Sequence, residues 1–457
     1  MKQRSKIKVI VTFFGAVEFF ELTSNPTPTL ESRLFAAVYI PSKMPVLLYT
    51  WGDQKHGKLG HGCSTHSQSE PKLVPCTFPG GGVKQVACGW HHTLILTDSG
   101  VVFGLGGNEE GQLGCGKITI PRLQPCPIAA AAGVKFNFIC AGKEHSAGIS
   151  ADGQLYTWGE NVDGRLGHKS GEVSYSGERG RTLTEPSIVQ ALRDVSVRRV
   201  ACGVRHMLCL TDVGRLFTCG AGSRGRLGLG HEEGRDSPVP VEAMNDLVVI
   251  CIACGGGHSV AAADDGRVFS WGANDRGQLG NGTVEDGNTP NAMGSFAAHG
   301  NCTEASCGLA HTMLLTGSNL LFACGDNRSG QLGIAHGAAD GSADSVLVAQ
   351  EVPMPERCVP VSIACGALHT VARVRDSTLN NGFVSFGQGS AGQLGTGLMQ
   401  DSSSAVHTNS RVFMVLGVFA GGKHTAMLVD QQPPSILPEV AAEGYNSEEE
   451  NWVGGQW

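Results

Sequence analysis

This chain has no helical periodicity of useful length, and the glycine it carries has no Gly-X-Y period, so neither a helical bundle nor a collagen-like rod is expected. Aromatic residues are only 6% of the sequence and charged residues only 16%. No charge of one sign dominates the body. The formal net charge is −7, but residues 44–429 hold 28 basic and 32 acidic side chains, which leaves no electrostatic footprint for nucleic acid. The apolar run near the N-terminus is too short to span a bilayer. Nor do a nucleophile, a base and a set of metal ligands converge anywhere, so hydrolase and oxidoreductase chemistry finds no support, and no cofactor or metal is expected.

What is abundant is glycine, 65 of 457 residues. Helix interiors tolerate that poorly, and turn-rich β structure is the class it suits. The glycines fall into repeats. G-x-L-G occurs seven times, at 57–60, 111–114, 164–167, 225–228, 277–280, 330–333 and 392–395. At a second fixed phase G-x-x-H recurs seven times, ending at His92, His145, His206, His258, His311, His369 and His424, with spacings of 52 to 61 residues.

Residues 200–230, VACGVRHMLCLTDVGRLFTCGAGSRGRLGLG, show the unit. An apolar strand runs through C-G-x-x-H to a turn, and a second strand leads into the glycine loop. Two or more short strands at this period predict an all-β, seven-bladed β-propeller. The chain enters the ring at LLYTWGDQKHGKLG, the second half of a unit, and leaves at FAGGKHTAMLVD, a first half. The two ends are therefore expected to share the last blade and remove free strand edges. The domains follow: residues 1–43 as an extension, 44–430 as the propeller and 431–457 as a tail.

Other motifs dissolve into this frame. GAGSRG (220–225) and GQGSAG (387–392) match G-x-G-x-x-G but open no helix of a βαβ unit. Seven equivalent histidines around a ring cannot meet at one substrate, so each is expected to be structural, with its ring hydrogen-bonded to neighbouring backbone. Of 16 cysteines, Cys88, Cys202, Cys254, Cys307 and Cys365 share the slot before the repeat glycine and Cys140 lies one place earlier. Different blades should hold them too far apart to bridge, which suits a reducing compartment, cytosol or nucleus. Cys251-x-x-Cys254 on a strand points its thiols to opposite faces, against a metal site.

The repeat C-G-x-x-H-x-x-x-L-T-x-x-G, followed by W-G-x-N-x-x-G-Q-L-G-x-G, resembles that of the regulator of chromosome condensation family, most clearly at 86–116 and 252–282. The resemblance covers residues 47–429 and implies the propeller. For function it implies either guanine nucleotide exchange on a Ran-type small GTPase with chromatin docking, or a role as a scaffold, a ubiquitin-ligase domain or an ultraviolet-B photoreceptor. Trp51, Trp158 and Trp271 occupy the W-G slot of different units, which speaks against a clustered light-sensing set.

Function must lie where the sevenfold pattern breaks. Of the seven residue pairs before the repeat histidines, only Lys143/Glu144 contains an acid. The family's exchange-active member likewise has an acid before a repeat histidine, although in the third copy rather than the second, and an acid there could compete for the P-loop lysine that holds nucleotide. An extended loop, residues 168–186, follows in the same unit and carries Arg179 and Arg181. Glu144, Arg179 and Arg181 form the candidate partner-binding edge. Residues 334–353 and 375–382 read as flexible polar loops.

Residues 1–20 start basic and turn apolar, like a weak signal peptide or presequence, and Met44 offers an alternative initiator. The tail carries six acids and no Lys or Arg between 430 and 457, a composition suited to disorder. The expected protein is a monomeric, non-enzymatic interaction propeller, with nucleotide exchange on a small GTPase as the alternative.

Overall fold

The computed structural model describes residues 7–13, 16–22, 46–79, 81–116, 120–129, 133–169, 171–175, 181–335, 344–376, 381–408 and 414–430. The chain divides into two compact units, Met1–Lys43 and Met44–Trp457. In the first, Ile7–Phe13 pairs antiparallel with Ala16–Leu22. The reading of residues 1–43 as an extension outside the ring, and of 431–457 as a tail, stays a proposal; the tail lies outside the described residues.

The second unit is a ring of seven four-stranded antiparallel sheets. Blades 1 to 7 begin with the strands Val83–Cys88, Phe136–Ala141, Val197–Cys202, Val249–Cys254, Cys302–Cys307, Cys358–Cys365 and Met414–Ala420. Each sequence unit supplies four strands. In blade 2 they are Phe136–Ala141, His145–Ser150, Leu155–Glu160 and Thr182–Ile188. Blade 7 combines Met414–Ala420 and His424–Asp430 with Val46–Gly52 and Gln68–Leu73. The termini of the ring therefore meet in one sheet, with Val46 opposite Asp430 and Gly52 opposite His424.

Burial grades outward along each blade. The second strand of blade 1, His92–Thr97, is buried at every position, whereas its outer strand, Arg122–Pro127, is buried at none. A strand enclosed on both faces can be continuously apolar, which is why HTLILT shows no alternation. The apolar core is not one mass but seven slabs, each between two neighbouring blades. Between blades 6 and 7, for example, Val371 and Phe383 meet Trp51, Val415 and Met427.

The glycine loops seat each blade on the next. Gly277 and Gly280 hold φ of 74° and 63° in GQLG, and between them Leu279 is fully buried. A Cβ on Gly277 would lie 2.5 Å from Leu347 of blade 5, so the loop can approach only without a side chain.

G-x-x-H has a different cause. A Cβ on Gly89 would lie 2.3 Å from the His92 ring and 2.7 Å from the Gly142 carbonyl oxygen of the next blade. The same close approach recurs from Gly142 to Gly203 and onward until Gly421 meets the Gly89 carbonyl. A closed circle of glycines thus surrounds the axis, with a histidine ring beneath each.

Those rings bond to side chains rather than to backbone as the sequence suggested. His92 Nε2 lies 2.8 Å from Ser146 Oγ. The equivalent links join His206 to Ser259, His258 to Thr312, His311 to Thr370, His369 to Thr425 and His424 to Thr93. Each hydroxyl in turn donates to a backbone carbonyl, as Thr425 does to Gln393 at 2.8 Å. Because a carbonyl can only accept, the hydroxyl proton is spent there and the imidazole must donate from Nε2. The short hydroxyl side chain thus bridges ring and backbone. One link is missing. Blade 3 has Met207 in the hydroxyl slot, and both His145 nitrogens are buried without a partner.

A second expectation also changes. Cys140 and Cys202, on neighbouring blades, lie near enough to influence each other's ionisation, because first strands converge on the axis and Cys140 is set one place back from the common slot. No disulfide joins any of the 16 cysteines.

Two outcomes test this construction. Thr425→Val leaves His369 Nε2–H unpaired in the interior, while the Gln393 carbonyl keeps the Trp51 indole N–H at 3.0 Å, and should cost about 1–3 kcal/mol in urea denaturation. Met207→Leu, at the slot with no link, should cost under about 1.5 kcal/mol. The second outcome concerns acid. Burial pushes the imidazoles of His92, His311 and His369 down to about 3 and that of His258 to about 4. Their neutral forms stabilise the fold fully above pH 6.5, and that stability is lost as pH falls toward 3, up to about 1.4 kcal/mol per histidine per pH unit. Urea midpoints should therefore drop steeply from pH 6.5 to 4; a flat profile would contradict the neutral circuit.

Candidate protein-binding face

The residue pairs before the seven histidines form turns at one end of the ring, next to the loops that follow the third strands. In blade 2, His145 lies opposite Gly159, whose positive φ of 101° lets the chain turn so that Glu160 N–H donates to the Glu144 carbonyl at 2.9 Å. Glu160 pairs in turn with Thr182 of the outer strand, and the Asn161 N–H donates to the Arg181 carbonyl. Glu144, Glu160 and Arg181 therefore sit at the same end of one blade. Arg181 is exposed, and Arg179 lies outside the described residues.

Glu144 is part of a charged cluster. Its carboxylate lies 3.6 Å from Lys143 Nζ, and the two side chains are 24% and 32% exposed, open enough for a partner to reach. Lys143 also stands over the Trp90 ring at 5.4 Å. Below them, buried Arg165 pairs with Glu160 at 2.7 Å and donates to the Val204 carbonyl at 3.3 Å. Burial raises the Glu160 carboxyl above its usual range against the pull of Arg165, and the Glu144 carboxylate hydrogen-bonded to it pushes the same way. The cluster extends to Asp163, which joins Arg205 at 2.5 Å, and on the other side to His56 and Glu109 at 3.1 Å.

Sequence reasoning missed Glu160 and Arg165, although a signal was there. The residue after the third-strand glycine and the residue before Leu in G-x-L-G face one another. They are Asp53 with Lys58, Glu160 with Arg165, Asp326 with Gln331 and Gln388 with Gln393. Where the first is acidic at blades 7 and 2, the second is a base. The pairs sit inside glycine loops whose turn geometry masks their charge.

The other half of this face differs. At blades 4 to 6 the turn pairs are Gly256/Gly257, Leu309/Ala310 and Ala367/Leu368, with no charge among them and Leu309 38% exposed. At the centre lies a depression of about 110 Å³ floored by the glycine circle and rimmed by Trp90, Lys143, Val204, Leu309 and Ala367. That is well below the roughly 300–1,000 Å³ of a small-molecule site. It has room for a side chain or the tip of a turn. Among the described residues, no group of three or more His, Cys, Asp or Glu could hold a metal.

The sequence matches the RCC1-like domain over residues 170–427, and the regulator of chromosome condensation (RCC1) repeat over 47–96 and 99–149. The chain belongs to the RCC1 repeat family. It is 29% identical over 378 residues to the ultraviolet-B receptor UVR8 of Arabidopsis thaliana, covering 82% of this chain and 81% of that protein. It is 33% identical over 334 residues to the mitochondrial RCC1 domain-containing protein RUG3 of the same plant, covering 72% and 73%. With the human ubiquitin ligase HERC2 it shares 32% identity over 71% of its own length but only 6% of the ligase. Human WBSCR16 superposes with a TM-score of 0.73 at 24% identity, over 84% of this chain and 99% of that one. Prp20p of Saccharomyces cerevisiae, a protein described with its binding to Gsp1p and histones, also gives 0.73, at 22% identity over 86% and 93%. These superpositions show the RCC1 propeller. Among the described residues, no helix is long and apolar enough to cross a membrane.

Proposed function

We propose that this chain is a non-catalytic protein-binding propeller, a scaffold or regulatory subunit that acts as a monomer in a reducing compartment, cytosol or nucleus. Its recognition surface is the histidine-turn face. The observation that carries the reading is the make-up of that face: aromatic and charged turns at Trp90, Lys143, Glu144 and Arg205 adjoin uncharged turns at Leu309 and Leu368 across a shallow centre. Protein interfaces combine such an apolar, aromatic centre with a polar rim, and a 110 Å³ depression accepts a protruding side chain. Sixteen cysteines with no disulfide among them support a reducing compartment.

A second reading, nucleotide exchange on a Ran-type GTPase, is favoured by one feature. Glu144 is the only acid among the turn pairs, and an acid at the rim can compete for the lysine that holds a nucleotide's phosphates. Against it, Glu144 already faces Lys143 and shares a hydrogen bond with Glu160.

The two readings part in one experiment. Release of a fluorescent guanine nucleotide from a panel of small GTPases is followed with and without the full chain, alongside affinity capture by wild type, Trp90→Ala and Lys143→Glu. The scaffold reading predicts unchanged release rates and a captured protein lost by at least about tenfold in both variants. Accelerated release that Glu144→Ala abolishes would establish exchange instead, and capture indifferent to both variants would reject this face.

A further inference from the structure

The axial channel widens at the end opposite the histidine turns. There, side chains from the early part of the first strands surround a chamber of about 710 Å³, within the roughly 300–1,000 Å³ typical of small-molecule sites. Sevenfold symmetry fails in its wall. The slot three residues before the end of the first strand holds Gln85, Phe138, Arg199, Cys251, Glu304, Ser362 and Gly417 in turn. Five different blades therefore bring unlike chemistry to one space.

One wall is cationic. Arg198 and Arg199 are both exposed to the chamber region, and among the described residues neither forms an ion pair. Their contacts orient them instead. Arg198 Nη2 donates to the Ile250 carbonyl at 3.0 Å, and the Arg199 guanidinium lies over the Phe138 ring at 4.9 Å. Each fork thus keeps donors to spare. The lining beside them is apolar, with Phe138, Ile250, Ile252 and Val361.

Across from the arginines stands Glu304, whose Oε2 accepts the Ile363 N–H at 3.2 Å. Burial raises its carboxyl to about 7, despite the Ile363 hydrogen bond and the pull of Arg373 on blade 6. Below neutral pH this carboxyl is thus largely protonated, and the charged groups around it are Arg198 and Arg199 from blade 3 and Arg373 from blade 6, with the neutral Cys251 thiol of blade 4 also in the wall. In blade 1 the same slot holds Gln85, which accepts the Ile139 N–H at 3.0 Å and donates to the Ile139 carbonyl at 2.9 Å. A neutral amide therefore fits this position.

We propose that the chamber is a binding site for a small organic carboxylate with an apolar body, its carboxylate held by Arg198 and Arg199 and its body against Phe138, Ile250 and Ile252. Two guanidiniums on one wall, neither in an ion pair among the described residues, are suited to holding a carboxylate, and the apolar lining rewards a hydrocarbon or ring. A doubly charged phosphate without an apolar body would leave that lining unused. Ionisation of Glu304 places a second anion in the wall, so binding weakens as pH rises through 7. This site lies at the other end of the channel from the protein-binding face and stands or falls independently of it.

Isothermal titration of the full chain with sodium dodecanoate, below its micelle concentration, tests the assignment. Inorganic phosphate and dodecyltrimethylammonium serve as the comparison probes. The expected result is saturable one-site binding of dodecanoate at pH 6.5, several-fold weaker at pH 8, and none for either comparison probe. The double substitution Arg198→Ala/Arg199→Ala, at exposed positions that leave the thermal melt unchanged, should weaken binding by at least about tenfold. Glu304→Gln, which puts there the amide that Gln85 carries in blade 1, should remove the pH dependence while retaining binding. Absence of saturable binding, equal binding of the cationic amphiphile, or affinity unaffected by loss of both arginines would overturn the proposal.

Discussion

The bond from a buried histidine to a hydroxyl on the next blade is the contact on which the ring depends. Apolar slabs draw neighbouring sheets together, but burial is non-directional and leaves the angle between sheets free. A short chain of hydrogen bonds, from imidazole Nε2 to hydroxyl to carbonyl, fixes each blade to the next beside the axis. It works only if the imidazole is neutral, since the lone pair at Nδ1 faces the interior and the proton must sit on Nε2. Burial secures that state. It also explains the glycines, because each ring fills the space that a Cβ at the repeat glycine would take.

The circuit makes the departure at blade 2 more informative. His145 lacks its hydroxyl partner because Met207 replaces it, and the same blade carries Glu144, Glu160 and Arg165. The weakest inter-blade link therefore lies beneath the most highly charged part of the face. At blades 4 to 6 the turns carry only Gly, Ala and Leu, and the links below them are complete. The two mouths of the channel also differ in kind. One is a shallow depression in a wide face; the other is a chamber with two arginines in its wall.

Much of this was legible in the sequence, and the reasons for the rest are physical. Seven G-x-L-G and seven G-x-x-H copies report local geometry that each unit must repeat, so blade number and the shared closing blade follow from phase alone. The hydroxyl partners did not follow. Ser146 lies 54 residues beyond His92, and only the ring's curvature brings them together. Glu144 stands out as a lone acid in its slot, yet its neighbour Glu160 is hidden in a loop dominated by glycines. Arg199 and Glu304 face one chamber from blades 3 and 5, and no local pattern links them.

The most direct test of the construction is the protonation state of the linking histidines, read from long-range proton–nitrogen NMR correlations of the side chains at pH 7. The neutral circuit predicts that His92, His206, His258, His311, His369 and His424 are uncharged, with a slowly exchanging proton on Nε2. Imidazolium signals, or protons on Nδ1, would show that the blades are held together in some other way.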